Sequence, residues 1–188
     1  VGVEGGESKE INNFENLLSD KNISPDGKYK IKSSPVKVEK VHGFDFHEDL
    51  EKSTAQIYTQ LDYRHWDTWN DGTYNHVFFG PATVADSSYR DIMPDEAHDC
   101  PQKPFGGDED FIWSPDSKSI LYVSKKHKGT AAAQSTNTDI YQYNLSNGKT
   151  KNLTEDNTGY DTNPTYSVNG NLAYLSMKTD GYEADKND

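Results

Sequence analysis

Phe111-Ile-Trp-Ser-Pro-Asp-Ser-Lys-Ser-Ile-Leu-Tyr-Val-Ser124 reads as strand, turn, strand. Phe111 to Trp113 is a short apolar run and Ile120 to Val123 a second one, both built from side chains that favour a pleated surface. Between them, Ser114 and Pro115 suit the first two positions of a type I turn. Pro115 presets φ, and Asp116 can accept hydrogen bonds from the backbone just beyond it.

Two further stretches repeat this plan. Upstream, Ile23-Ser-Pro-Asp-Gly-Lys-Tyr-Lys-Ile-Lys-Ser-Ser34 keeps the Ser-Pro-Asp turn and places Gly27 at its last position. Downstream, Tyr166-Ser-Val-Asn-Gly-Asn-Leu-Ala-Tyr-Leu-Ser176 substitutes Asn169-Gly170, itself a hairpin signal. Ser24, Ser114 and Ser167 stand 90 and 53 residues apart. With one copy skipped, that is the spacing of four-stranded units in a β-propeller, each burying its faces only against its neighbours. The alternative is three unrelated hairpins of a sandwich, which need not share turn residues, strand lengths and order.

Composition favours the same class. Of 188 residues, 32% are hydrophobic and 12% aromatic, so buried area must come largely from Tyr, Trp and Phe on many short strands. A net charge of −12 without a Lys/Arg cluster argues against nucleic acid as a partner, because phosphate binding needs a basic surface. No apolar run approaches the 18 or so residues of a membrane span. Val1 to Gly6 has neither a basic nor an apolar region of a leader. Cys100 is the single cysteine and can form no internal disulfide.

Four segments are expected from the order of the chain: blades at about 20–61, 62–110 and 111–162, and a partial one at 163–188. Asn13 to Leu18 suits the end of an earlier blade. Lys30 and Lys32 replace the apolar residues of the central copy, so one face of that strand is expected to be wet or the strand to be an edge. Val36 to Val41 alternates as a strand. Leu50, Thr54, Ile57, Tyr58 and Leu61 recur at helical spacing and predict a short amphipathic insertion. Asn70-Asp71-Gly72 predicts a hairpin joining the aromatic segments on either side of it. Lys125 to Thr138 reads as a polar loop, Asp139 to Leu153 as an outer hairpin, and the chain is expected to stop as another outer strand begins.

Several residue groups carry chemistry. His42, Asp45, His47 and Asp49 mix imidazole and carboxylate, but their spacing matches no ligand motif and Asp45 or Asp49 suits a helix cap, so no metal centre and no cofactor is expected. Arg64, His65, Trp66 and Asp67 either form a binding surface or are an Arg-Asp pair covered by tryptophans. His98-Asp99-Cys100 reads as a loop, since neighbours in sequence rarely share catalytic geometry. Gly106-Gly-Asp-Glu-Asp110 places three carboxylates in one turn. Either the turn is merely solvated, or Asp108, Glu109 and Asp110 face a cavity and hold a cation such as a peptide's amino terminus by charge-assisted hydrogen bonds.

Taken together, the Ser-Pro-Asp-x-Lys turns, Tyr63-Arg-His-Trp-Asp-Thr-Trp-Asn-Asp-Gly72 followed by His76-Val-Phe-Phe79, Gly106 to Asp116, and Asp139-Ile-Tyr with Asn152-Leu-Thr154 resemble the propeller of the prolyl oligopeptidase family, and within it the bacterial dipeptidyl peptidases of type V. The likeness covers residues 20 to 188. It implies a seven- or eight-bladed propeller ahead of an α/β-hydrolase domain with a Ser-Asp-His triad. No catalytic residue is expected in this chain, where only Gly6-Glu-Ser-Lys-Glu10 approaches a nucleophile elbow and lacks its last Gly. The propeller of such an enzyme would gate short peptides, with Glu109 and its neighbours holding their amino termini, in a periplasmic or secreted protein with a possible homodimeric state. The rival expectation is a TolB-like binding module that works through protein contacts and has no peptidase domain. A polysaccharide-active propeller would need a His/Gln metal cluster that the sequence lacks.

Overall fold

The computed structural model describes residues 20–61, 63–85 and 88–188. The expected blade end at Asn13 to Leu18 and the Gly6 to Glu10 stretch lie outside the described residues.

The described chain is dominated by antiparallel strands. β1 (Tyr29–Lys37) pairs with β4 (Thr73–Pro81) over their whole length, from Tyr29 opposite Pro81 to Lys37 opposite Thr73. β5 (Arg90–Asp91) lies on the far side of β4. A second sheet is a four-stranded meander of β6 (Phe111–Trp113), β7 (Ser119–Ser124), β8 (Asp139–Asn144) and β9 (Thr150–Asn152). β10 (Asp161–Tyr166) and β11 (Leu172–Ser176) form a third, and β2 (Arg64–His65) with β3 (Thr68–Trp69) a small separate ribbon.

The sheets pack face to face, and β7 shows why its sequence does not alternate. Successive strand side chains point to opposite faces. Ile120 and Tyr122 enter a core with Ile31, Val77 and Met93 of the first sheet and its following loop. Leu121 and Val123 enter another, shared with Tyr166 and Leu172 of the third sheet. Every residue of β7 is buried, so an unbroken apolar run is what a strand between two cores requires.

The three repeated turns close alike. Ser117 N donates to Ser114 O at 2.9 Å, Gly27 N to Ser24 O at 2.8 Å, and Gly170 N to Ser167 O at 2.9 Å. In the first two, the serine hydroxyl donates to the Asp two residues on at 2.7 Å and accepts from the strand that follows, Ser119 N at 2.9 Å or Tyr29 N at 3.0 Å. The last turn position lies at positive φ in all three, +73° at Gly27, +80° at Gly170 and +60° at Ser117. Ser117 bears that conformation without glycine's freedom, while its hydroxyl accepts from Asp26 N at 3.0 Å and ties two of the turns together.

Several expectations are corrected. No helix spans residues 50–61. One helical turn, α1 (Gly43–Phe46), and a single 3-10 turn over Glu48–Leu50 precede an extended segment. Gly43 N donates to Ala55 O and Ile57 N to Val41 O, so this stretch lies alongside residues 41–43. Ile57 and Leu61 stay 41% and 54% exposed, and a short helix with no core to face is marginal. Asn70-Asp71-Gly72 does not make a hairpin of its flanks: β3 pairs back with β2 while β4 pairs with β1. Residues on both sides of the expected boundary at 62 therefore share one sheet, with 38–72 inserted between its strands. The alternating run from Val36 leaves the strand after Lys37, because Val38 N and Glu39 N turn to Gly72 O and close the insertion's stem. The loop after β7 contains a short helix, α2 (Gly129–Gln134), over the alanines, the strongest helix formers. The outer hairpin β8–β9 forms as expected. β1 lies at the border of its sheet, but residues 22–24 bond to its Tyr29–Ile31 stretch, so Lys30 does not sit on an open edge; its Nζ is 3.2 Å from Asp20, and Lys32 lies over the Tyr89 ring.

Candidate functional site

The acidic turn is a single 3-10 turn over Asp108–Asp110, delivered directly into β6. That geometry splits its three carboxylates. Asp110 points inward and is buried, with Oδ2 accepting from Gln102 N at 2.8 Å. Gly106 is required beside it, since a Cβ there would collide with Asp110 Oδ2 and the Gln102 backbone. Burial pushes the Asp110 carboxyl up to about 6; the Gln102 N–H opposes this and the neighbouring Glu109 charge adds to it. Asp108 and Glu109 are exposed. The trio therefore does not converge: two carboxylates face water, and one serves the packing of the 101–107 loop.

Arg64, His65, Trp66 and Asp67 form the exposed tip of the β2–β3 ribbon. Arg64 lies over the Trp69 ring at 5.7 Å and, among the described residues, makes no ion pair with Asp67. Trp66, 65% exposed, meets the edge of Phe105, itself 77% exposed, at 5.5 Å. Tyr58, Tyr63 and Trp69 pack together at centroid distances of 5.2 to 5.9 Å, Tyr58 stacked on Trp69 and Tyr63 tilted against both. Trp69 thus covers the arginine and the two tyrosines, and Trp66 packs on His65 and Phe105, rather than the pair covering an Arg-Asp bridge.

Asp45 is a cap. Its Oδ2 accepts from Val41 N at 2.8 Å and His42 N at 2.9 Å and pairs with Lys37 at 3.0 Å, and these contacts hold its carboxyl at about 2. Among the described residues no group of three or more His, Cys, Asp or Glu is arranged to hold a metal ion, and no helix is long and apolar enough to cross a membrane. Cys100 is buried in its loop, where loss of solvation raises the thiol well above its ordinary value, so it is not a ready nucleophile.

A cleft of about 380 Å³ lies between the insertion, the 97–102 loop and the segment leading into α2. Gln102 joins it to the acidic turn, donating its backbone N–H to Asp110 and accepting Lys125 N at its side-chain oxygen at 2.7 Å. Its acids are occupied. Glu39 accepts the Tyr74 hydroxyl at 2.8 Å, and Asp99 accepts Asn75 N at 2.7 Å and pairs with Lys103 at 3.0 Å. Sequence reasoning missed this cleft, because its walls come from segments read separately as a helix face, a loop and a polar connection.

No protein-family model matches the chain. Among curated proteins, dipeptidyl-peptidase 5 of Porphyromonas gingivalis is 44% identical over 165 residues, 87% of this chain and 24% of the relative. Dipeptidyl-peptidase 5 of Porphyromonas endodontalis is 34% identical over 184 residues, 97% and 26%. That of Schizosaccharomyces pombe is 34% identical over 146 residues, 72% and 21%. By sequence, this stretch belongs with the dipeptidyl-peptidase 5 proteins. It spans about a quarter of the length of the relatives it matches. The crystal structure of TolB from Acinetobacter baumannii, 14% identical over 84% of this chain and 26% of its own, has a TM-score of 0.44, too low to bear on the argument.

Proposed function

We propose that this chain is part of the β-propeller of a serine dipeptidyl peptidase of the prolyl oligopeptidase family, a periplasmic or secreted enzyme whose α/β-hydrolase domain lies elsewhere in the protein. The observation that carries the reading is the 44% identity to a dipeptidyl-peptidase 5 over 87% of the chain. The stacked antiparallel sheets with recurring Ser-Pro-Asp turns support it: β6 to β9 make one whole blade, β1, β4 and β5 most of the blade before, and β10–β11 half of the blade after.

In this reading the propeller admits short peptides and presents them amino terminus first. Release of a dipeptide requires the enzyme to measure two residues from a free ammonium group, and that group needs an anionic partner. Asp108 and Glu109 are suitable: they are exposed, adjacent, and fixed on a turn whose third carboxylate is anchored inside. Charge-assisted hydrogen bonds to an ammonium are roughly twice as strong as neutral ones. Asp110, already engaged with Gln102, positions the turn rather than touching the peptide.

The test is an assay of the full-length protein on chromogenic dipeptide substrates with free and with blocked amino termini. Cleavage of the free substrates and not of the blocked ones is expected. Cleavage of neither would overturn the peptidase reading in favour of a binding module.

A further inference from the structure

The cleft between the insertion and α2 has a polarity that its composition hides. Its carboxylates are consumed by internal partners, Glu39 by Tyr74 and Asp99 by Asn75 and Lys103. Among the described residues, the side chains of His98, His127 and Lys128 in the same cleft make no hydrogen bond or ion pair. What remains to be satisfied there is positive, on a protein whose net charge is −12. The rest of the lining includes apolar and aromatic groups, Phe46, Tyr58, Leu61 and Tyr63. A volume of about 380 Å³ lies in the range of sites for small organic ligands, roughly 300–1,000 Å³.

We propose that this cleft binds a small carboxylate with an apolar or aromatic body, the carboxylate meeting His98, His127 and Lys128 and the body lying against Phe46, Tyr58 and Leu61. The chemistry is that of a short peptide's carboxyl end or of a free aryl carboxylic acid. Lys128 supplies an ammonium group and the histidine rings supply N–H donors. His98 is poised for this. Burial, followed by the Lys128 charge, depresses its proton affinity, with Lys126 acting in the same sense and Glu96 and Glu39 against it. An anion entering beside it reverses the balance and draws a proton in. The proposal does not depend on the peptidase reading, since a ligand with a blocked amino group suffices to test it.

Isothermal titration of the full-length protein with N-acetylphenylalanine and with its amide tests this directly. The acid is expected to bind at least ten-fold more tightly than the amide. Lys128→Ala with His98→Gln should weaken the acid at least ten-fold, while Lys118→Ala, an exposed lysine on the turn before β7, leaves it unchanged. Near pH 7 the binding heat should depend on the ionisation heat of the buffer, which reports proton uptake, and His98→Gln should remove that dependence. Equal binding of acid and amide would overturn the proposal, as would an affinity indifferent to the double variant. Inorganic phosphate binding as tightly as the acid would also overturn it, since the apolar lining would then contribute nothing. N-acetylglycine and N-acetylphenylalanine separate the charged from the apolar contacts: loss of the phenyl group should weaken binding while leaving the proton uptake in place.

Discussion

The sheet from β6 to β9 and the insertion at 38–72 use aromatic and aliphatic residues in opposite ways. In the sheet, Ile120, Leu121, Tyr122 and Val123 disappear between two cores. In the insertion, Phe44, Phe46, Leu50, Ile57, Leu61, Trp66 and Trp69 remain substantially exposed, held by a stem of backbone bonds at Gly72 and Val41 and by the Asp45 cap. Burial stabilises the first region, whereas the second is kept in shape by hydrogen bonds and presents its apolar groups outward.

Substitutions should separate the two. Ile120→Ala empties part of a close-packed core and is expected to cost about 2–5 kcal/mol in urea unfolding, whereas Leu61→Ala should stay within about 0.5 kcal/mol. Comparable losses at both positions would erase the distinction.

His76 joins the first sheet to the loop that follows it. It is fully buried, with Nδ1 2.8 Å from Asp91 Oδ2 and Nε2 2.8 Å from Glu96 O. A carboxylate and a carbonyl both accept, so only the doubly protonated ring satisfies both. Burial works against that charge, but the Asp91 and Glu96 contacts outweigh it and raise the proton affinity. A folded value above the unfolded one, about 6.5, means that the stabilisation is complete below pH 6.5 and is lost as pH rises through the folded value. Thermal unfolding between pH 5.5 and 8.5 should show that decline. His76→Gln should flatten it while costing on the order of 1–3 kcal/mol at low pH.

Gly72→Ala should act locally. Its φ of +80° and the Glu39 carbonyl behind it leave no room for a Cβ. The expected result is a loss of about 1 kcal/mol or more, with proteolysis accelerated within 38–72 and the sheets' circular dichroism retained. The smallest effect is expected at Ser117→Gly. Relief of a positive φ is offset by loss of the bond from Asp26 N, leaving stability within about 0.5 kcal/mol.

Legibility in the sequence followed the range of the contacts. The β6–β9 sheet was readable because its turns are local chemistry, Ser-Pro-Asp at one and Ser146-Asn147-Gly148 at another, and its strands follow at once. The pairing of β1 with β4 was not, since it spans the insertion. Asn70 and Asp71 do form a turn, accepting from Gly72 N and Thr73 N, but it joins strands of different sheets. Helical spacing from Leu50 to Leu61 misled because no core faces it. In the acidic turn, composition marked Asp108 to Asp110 as a unit, but only the 3-10 geometry sends Asp110 in and its neighbours out. His98, His127 and Lys128 of the cleft come from two loops nearly thirty residues apart, beyond any local pattern.

The difference between outward and inward carboxylates gives the most direct test of the proposed role. Steady-state kinetics of the full-length protein on a free-amine dipeptide substrate would compare Glu109→Gln, Asp108→Asn and Asp110→Asn. The account expects Glu109→Gln to lower kcat/KM at least ten-fold, largely through KM, with Asp108→Asn weaker in the same direction and Asp110→Asn altering thermal stability but not KM. Unchanged kinetics in Glu109→Gln and Asp108→Asn alike would contradict it and reduce the acidic turn to a structural lead into β6.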